Sequence, residues 1–273
     1  MKVRELGMKV YYASKSIVFH IEGVSNGTST DSGYKSFQKL NATKFSKKWG
    51  KRFNDRPKPS FTNFNSIVEI FYEKKALFLD YETPRANKDA GGFAAINEMK
   101  MFQALGYKID FLPENLAYFG SATETLERIG IRCINHPETT SVKEYLQAYA
   151  NEYDIIFVTR FNVAEPYIDI LKNSKNKFYF NNADLHFLRE YRQLSNLNQA
   201  DLVKDIRKRE LAIIEAADVA FCYTEIERQV IESHILQKNK VKIMPWVTKV
   251  KVNKPIAKPD GKFGFLGSFH HKP

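Results

Sequence analysis

Asp184, His186 and Arg189 fall within the run Asn181-Asn182-Ala183-Asp184-Leu185-His186-Phe187-Leu188-Arg189, directly after an apolar stretch that reads as a strand. An aspartate can orient an imidazole, and a guanidinium can hold a phosphate or a carboxylate. If the stretch is a strand, all three lie at its carboxyl end or in the first helical turn beyond it, where open α/β sheets bind ligands. The same residues also suit an ordinary helix N-cap, Asp184, followed by an amphipathic turn. Arg160 closes another strand-like run and is a second cation in an equivalent place.

A third group follows the first regular strand, Lys75-Ala76-Leu77-Phe78-Leu79-Asp80-Tyr81. The loop Glu82-Thr83-Pro84-Arg85-Ala86-Asn87-Lys88-Asp89-Ala90-Gly91-Gly92 ends in paired glycines at a helix start. Gly91 and Gly92 would let a backbone come close to a ligand, and free N–H groups there favour phosphate. The loop has neither the G-x-G-x-x-G spacing of a dinucleotide fingerprint nor the G-x-x-x-x-G-K-[ST] of a P-loop. Far downstream, Gly264-Phe265-Leu266-Gly267-Ser268-Phe269-His270-His271-Lys272-Pro273 reads as a buried strand running into another glycine turn. Adjacent His270 and His271 point to opposite sides of an extended chain, so a diphosphate beside Gly267 and His270 suits them better than zinc, and no metal site is expected.

The elements that must position these residues are legible from Lys75 onward. Strand-like apolar runs occur at 75–81, 107–112, 131–134, 154–159, 176–180, 218–222 and 241–244. Helical patterns separate most of them, at about 91–105, 121–130, 140–151, 163–173, 186–195, 199–216 and 224–235. That alternation predicts right-handed crossovers and a doubly wound, Rossmann-like parallel sheet covered on both faces, in an α/β domain over 75–246. Residues 247–261 read as a connector and 262–273 as the first strand of a further domain. The front segment, 1–56, reads as an incomplete α+β piece: a helix end capped by Gly7, short strands at 8–12 and 16–20, and an amphipathic helix from about Tyr34 to Trp49. A linker over 57–74 joins it to the α/β domain.

With 273 residues, 43% of them hydrophobic, the chain can bury at least one sizeable core. No apolar run reaches the roughly 18 to 20 residues that span a bilayer. Cys133 and Cys222 stand far apart in apolar surroundings and read as buried free thiols of a reducing, cytoplasmic compartment, so the sequons at Asn26 and Asn41 carry no meaning there. The net charge of +11 is uneven: residues 1–74 hold 14 Lys+Arg against 6 Asp+Glu, whereas the remainder holds 28 against 25. The basic region 44–58 therefore suits an anionic membrane surface, a lipid-diphosphate acceptor or plain solvation, while nucleic-acid binding is disfavoured by the absence of an interleaved aromatic platform.

Residues 75–273 resemble the first half of a group 1, GT-B-fold glycosyltransferase. The resemblance lies in the Gly91-Gly92 loop, the segment Asp184–Arg189, and Ala216-Ala217-Asp218-Val219 with Thr224-Glu225 soon after, followed by the glycine turn at Gly267. Val18–Thr28, followed by Phe45-Ser46-Lys47-Lys48-Trp49, is similar to the tail of a group 2, GT-A-fold glycosyltransferase; large bacterial surface-polysaccharide enzymes fuse the two in this order. The resemblance implies transfer of a sugar from a nucleotide-sugar donor to a glycan or lipid-linked acceptor, with no cofactor required by the GT-B part. It implies that Gly91 and Gly92 approach donor or acceptor, that His186, oriented by Asp184, sits near the reacting hydroxyl, and that Arg189 contacts an anion; Arg160, by its place at a strand end, is a further candidate to bind substrate. His20 would belong to the front domain's site. The sequence then reads as a piece of a larger enzyme, with little turnover by itself; the alternative is a non-catalytic, glycan-binding module that needs a partner donor domain.

Overall fold

The computed structural model describes residues 74–192 and 200–246, together with 33–52 and the shorter pieces 2–8, 10, 16–19, 29 and 31. It divides into two compact units, Met1–Ile70 and Phe71–Pro273.

In the first unit, α1 (Lys2–Glu5) ends at Gly7, whose φ of 73° lets the Met8 N–H reach back to the Val3 carbonyl, the glycine cap expected there. A 3-10 turn, Tyr34–Ser36, leads into α2 (Phe37–Trp49). The helix forms where expected but without the buried stripe that an amphipathic helix would show: none of its residues is buried, and Phe37, Leu40 and Phe45 are each half-exposed. Of the strands expected at 8–12 and 16–20, the described residues Met8, Val10 and 16–19 take no strand structure. Short strands need a pairing partner for their N–H and C=O groups, and two alone are marginal.

The second unit is the doubly wound sheet. Seven parallel strands, β1 (Lys74–Asp80), β2 (Tyr107–Pro113), β3 (Arg132–Cys133), β4 (Ile155–Thr159), β5 (Lys177–Asn181), β6 (Val219–Cys222) and β7 (Val241–Ile243), lie in the order β3-β2-β1-β4-β5-β6-β7. Their helices are α3 (Ala90–Ala104), α4 (Ser121–Arg128), α5 (Val142–Tyr149), α6 (Phe161–Ala164), α7 (Ile168–Asn173), α8 (His186–Arg192), α9 (Ala200–Ala216) and α10 (Glu225–Glu232). The single helix expected at 163–173 is split by a 3-10 turn, Glu165–Tyr167, because Pro166 cannot donate to the helical ladder.

Alternate strand residues feed two cores, one on each face. Leu77, Leu79, Ile156, Val158, Phe178 and Phe180 pack on one side, and Ala76, Phe78, Ile155 and Phe157 on the other, where Phe78 and Phe157 stack at 4.6 Å. Such double-sided burial explains why the strands read as continuous apolar runs rather than as alternating ones. Aspartates just ahead of two strands tie the amino ends together: Asp154 accepts from the Lys75 N–H at 2.8 Å, and Asp218 from the Phe178 N–H at 2.9 Å. Cys133 and Cys222 are buried and free, with burial pushing the thiols up to about 12 and about 11. No helix among the described residues is long and apolar enough to cross a membrane.

Candidate functional site

Strand order reverses between β1 and β4. The chain runs outward from β1 through β2 to β3 and then returns to β4 on the other side, so the loops leaving β1 and β4 diverge and open a crevice at their carboxyl ends. β1 ends there in Asp80, only 7% exposed, and β4 leads into Arg160. Their side chains form an ion pair, Arg160 Nη1 to Asp80 Oδ1, and the same carboxylate oxygen accepts the Tyr81 N–H at 2.7 Å. Burial raises the Asp80 carboxyl above its ordinary range, and the Arg160 charge opposes that shift. Arg160 holds a φ of 75°, uncommon for a side-chain-bearing residue, and its N–H donates to the Asn181 carbonyl of β5 at 2.9 Å. The backbone hydrogen bond and the ion pair together hold the residue in that conformation.

The paired glycines have different tasks. Asp89 is the N-cap of α3, its Oδ1 accepting from the Gly92 N–H at 2.6 Å. A Cβ on Gly92 would stand 2.6 Å from the Arg85 carbonyl oxygen and 2.8 Å from its nitrogen, so the close approach at Gly92 is to the loop's own backbone. A Cβ on Gly91 would instead lie 3.6 Å from Arg160 Nη2 and 3.5 Å from Asp89 Oδ1. Gly91 thus borders the Arg160 guanidinium at the amino end of α3. The loop is braced by Glu82, which accepts from Arg85 and Lys88 at 2.8 and 2.7 Å; these hydrogen bonds, Lys88's first, hold its carboxyl below the ordinary value.

The segment after β5 is arranged differently from the expectation. Asp184 does not orient His186: its carboxylate pairs with Arg189, five residues on. The imidazole is held by Glu210 of α9, with His186 Nδ1 3.2 Å from Glu210 Oε1. Glu210 is completely buried and also accepts the His186 and Phe187 N–H groups, both at 3.0 Å. The physical reason is competition at a helix start. Those N–H groups need an acceptor, the deeply placed glutamate supplies both oxygens, and Asp184, 42% exposed, is left to the guanidinium. Arg189 therefore shares its charge with Asp184, as Arg160 does with Asp80. His186 also packs edge-on to Phe161, 4.8 Å away on α6, which draws it toward the loop after β4.

Behind the crevice lies a polar cluster for which the sequence reading had no place. Glu98 of α3 is 3% exposed, and Asn181 Nδ2 donates to its two carboxylate oxygens at 3.1 and 3.3 Å, with the Tyr223 hydroxyl also 3.3 Å from that nitrogen. Asn181 Oδ1 accepts from the Ala183 N–H at 3.0 Å, which ties the cluster to the turn carrying Asp184 and His186. Burial, opposed by the Asn181 bond and reinforced by the nearby Asp80 charge, pushes the Glu98 carboxyl from 4.5 up to about 7. A carboxyl raised in the folded state stabilises the fold below its unfolded value of 4.5 and loses that contribution as pH rises through about 7. Glu98→Gln keeps an acceptor for Asn181 and cannot ionise, so it should leave stability nearly unchanged near pH 4 and raise it by about 3 kcal/mol near pH 8. Denaturant titrations at the two pH values check this; an equal effect at both would refute the buried, neutral carboxyl. Thr83 and Asn182, each 1% exposed at the same end of the sheet, have buried side-chain polar atoms without hydrogen-bond partners among the described residues.

Gly267 and His270, with the connector 247–261 and the strand at 262–273, lie outside the described residues, as does His20. A shallow groove of about 420 Å³ lined by Lys172, Asp218, Asn239 and Lys240 is at the amino ends of β6 and β7, the end of the sheet opposite Arg160 and His186. Among the described residues no group of three or more His, Cys, Asp or Glu could hold a metal ion.

No family model matches the chain, and no curated protein matches it. Similar folds occur among solved structures. Sucrose-phosphate synthase from Thermosynechococcus elongatus superposes with a TM-score of 0.46 at 12% identity, over 63% of this chain and 48% of that one. The Anabaena protein HepE in complex with UDP gives 0.44 at 12% identity, over 63% and 44%. An alpha-glucosyltransferase in complex with UDP-glucose and DNA containing an abasic site gives 0.37 at 12%, over 62% and 42%. The chain spans less than half the length of each. At such scores the superpositions add nothing to the strand order and register, which establish the Rossmann-like sheet by themselves.

Proposed function

We propose that this chain supplies the acceptor-side half of a GT-B glycosyltransferase that moves a sugar from a nucleotide-sugar donor to a glycan or lipid-linked acceptor. One observation carries the reading. At the topological switch point Arg160 Nη2 borders Gly91 at the amino end of α3, so a guanidinium and a helix amino end converge where an open α/β sheet takes its ligand. A leaving diphosphate gathers negative charge, which fixed cations and helix amino ends stabilise without a metal. His186 sits one strand away, at the same end of the sheet, and the sequence resemblance through the Gly91-Gly92 loop and Asp184–Arg189 assigns Gly91 and His186 to substrate.

In this reading the donor's nucleotide is held by a second α/β domain opening at Gly267 and His270, and the chain by itself turns over slowly, because half a cleft cannot exclude water or hold a donor in attack geometry. The front segment as the tail of a group 2 enzyme, a role in surface-polysaccharide synthesis at the inner face of a membrane, and contact of the basic 44–58 region with anionic lipid extend the same proposal.

Calorimetric titration of a nucleoside diphosphate into this chain, and into one extended through the next α/β domain, tests it. Binding by the extended chain alone is expected. Equal binding by both would place a whole nucleotide site within 75–273 and overturn the division of labour. Binding by neither, with glycan binding retained, would favour the non-catalytic module.

A further inference from the structure

We infer that Glu210 fixes His186 in the tautomer that carries its proton on Nδ1, which makes Nε2 a hydrogen-bond acceptor for a substrate hydroxyl. The inference rests on the glycosyl-transfer reading for the identity of that hydroxyl, but the tautomer follows from the geometry alone. Glu210 is fully buried, and it receives three groups from one helix start: the His186 N–H at 3.0 Å, the Phe187 N–H at 3.0 Å, and His186 Nδ1 at 3.2 Å. Two of these are backbone donors, so Glu210 meets this helix start as an acceptor, and Nδ1 approaches the same oxygen as the His186 N–H. A neutral imidazole can satisfy the third contact only by donating from Nδ1, which leaves the lone pair on Nε2.

The ring cannot readily turn to reverse that assignment. His186 is only 16% exposed in its side chain, and Phe161 presses edge-on against it at 4.8 Å. Phe161 is itself covered by the Arg209 guanidinium at 5.8 Å, and Arg209 is gripped by Glu165 through two bonds of 2.6 Å. That cation is therefore already paired, and Glu210 is the group that meets Nδ1. An aspartate in this position in sequence, Asp184, is taken by Arg189. Glu210 acts through His186 and is a positioning residue. The chemical consequence is a division of ligands: His186 Nε2 accepts a hydrogen bond from a hydroxyl, and an anionic group falls to Arg160 Nη2, whose Nη1 is held by Asp80.

Long-range ¹H–¹⁵N spectra of the histidine-labelled chain at about pH 8.5, with the His186 signals assigned by their loss in His186→Gln, read the tautomer directly. The expected result is a neutral ring protonated on Nδ1, shifting toward the commoner Nε2-protonated form in Glu210→Leu, which leaves Nδ1 no acceptor there. An Nε2-protonated ring in the unmodified chain, or one still doubly protonated at that pH, overturns the inference. So does a tautomer unchanged in a folded Glu210→Leu. If Glu210→Leu fails to fold, because two backbone N–H groups lose their acceptor, the unmodified chain's tautomer decides alone. The spectra need no substrate. An Nδ1-protonated ring in a protein that binds no nucleotide sugar would thus uphold the positioning role while removing the glycosyl-transfer reading, and the converse would do the reverse.

Discussion

Replacing Arg160 with Met should lower the stability of the α/β unit by about 3 to 4 kcal/mol, because it strands a carboxylate in the core. Asp80 is 7% exposed, and without Arg160 the one remaining hydrogen-bond donor to its side chain among the described residues is the Tyr81 N–H. Glu98, whose ionised form disfavours that of Asp80, lies behind it. Arg160 itself keeps 35% of its side chain exposed, so the loss comes mainly from the uncompensated acid rather than from the arginine's own packing. The pH dependence follows in sign. Burial already raises the Asp80 carboxyl, and removing the cation raises it further. A carboxyl raised in the folded state gives up stability as pH climbs, so the deficit of Arg160→Met should be largest near pH 8 and shrink toward pH 4. Adding Asp80→Asn should recover much of the loss at pH 8. Urea midpoints for the single and double variants at both pH values settle it; a deficit below about 1 kcal/mol, or one that Asp80→Asn does not relieve, would mean that the pair is not holding the switch point together.

The sheet was readable because of how it is buried. Residues 76–79 and 155–158 face a core on both sides, and double burial writes itself into a sequence as an unbroken apolar run. A cap was equally legible where the donor is local, as with Gly7. The site was legible only in its loop positions. Arg160, Gly91 and the Asp184–Arg189 segment stand out as candidates because strand ends advertise them. Glu210 was hidden because Lys208-Arg209-Glu210 reads as a solvent-facing turn, and only the packing of α9 on α8 turns that glutamate inward. Glu98 did leave a trace: it shares a stripe of α3 with Ala94, Ala95 and Phe102, three buried apolar residues. A lone carboxylate in an apolar stripe signals a buried partner, here Asn181, although its identity requires the register of β5 against β4. The error over His186 had the same root. Two residues close in sequence were assigned to each other, whereas helix geometry sent Asp184 to Arg189 and a distant glutamate filled the vacancy.

The contrast between neighbouring glycines separates folding from ligand access, and Gly92→Ala should cost about 3 kcal/mol. Helix propensity favours alanine over glycine by about 1 kcal/mol, so any net loss must come from sterics. The new Cβ would meet the Arg85 carbonyl oxygen at 2.6 Å and the Arg85 nitrogen at 2.8 Å, both backbone atoms in a loop already braced by Glu82 and by the Asp89 cap. No flexible side chain is there to give way, so the loop from Glu82 to Asp89 or the start of α3 must move. Gly91→Ala meets only Asp89 Oδ1 at 3.5 Å and Arg160 Nη2 at 3.6 Å, ordinary contacts, and should fold as well as the parent or slightly better. Its methyl group would nonetheless stand beside the guanidinium at the amino end of α3. Thermal and urea unfolding of the two variants should therefore diverge, with Gly92→Ala destabilised and Gly91→Ala not. Anion binding at the crevice, wherever it is measured, should be weakened in Gly91→Ala despite its intact fold. Equal stability of the two variants would show that the loop yields without cost, and that its shape is not what places Arg160 beside the helix.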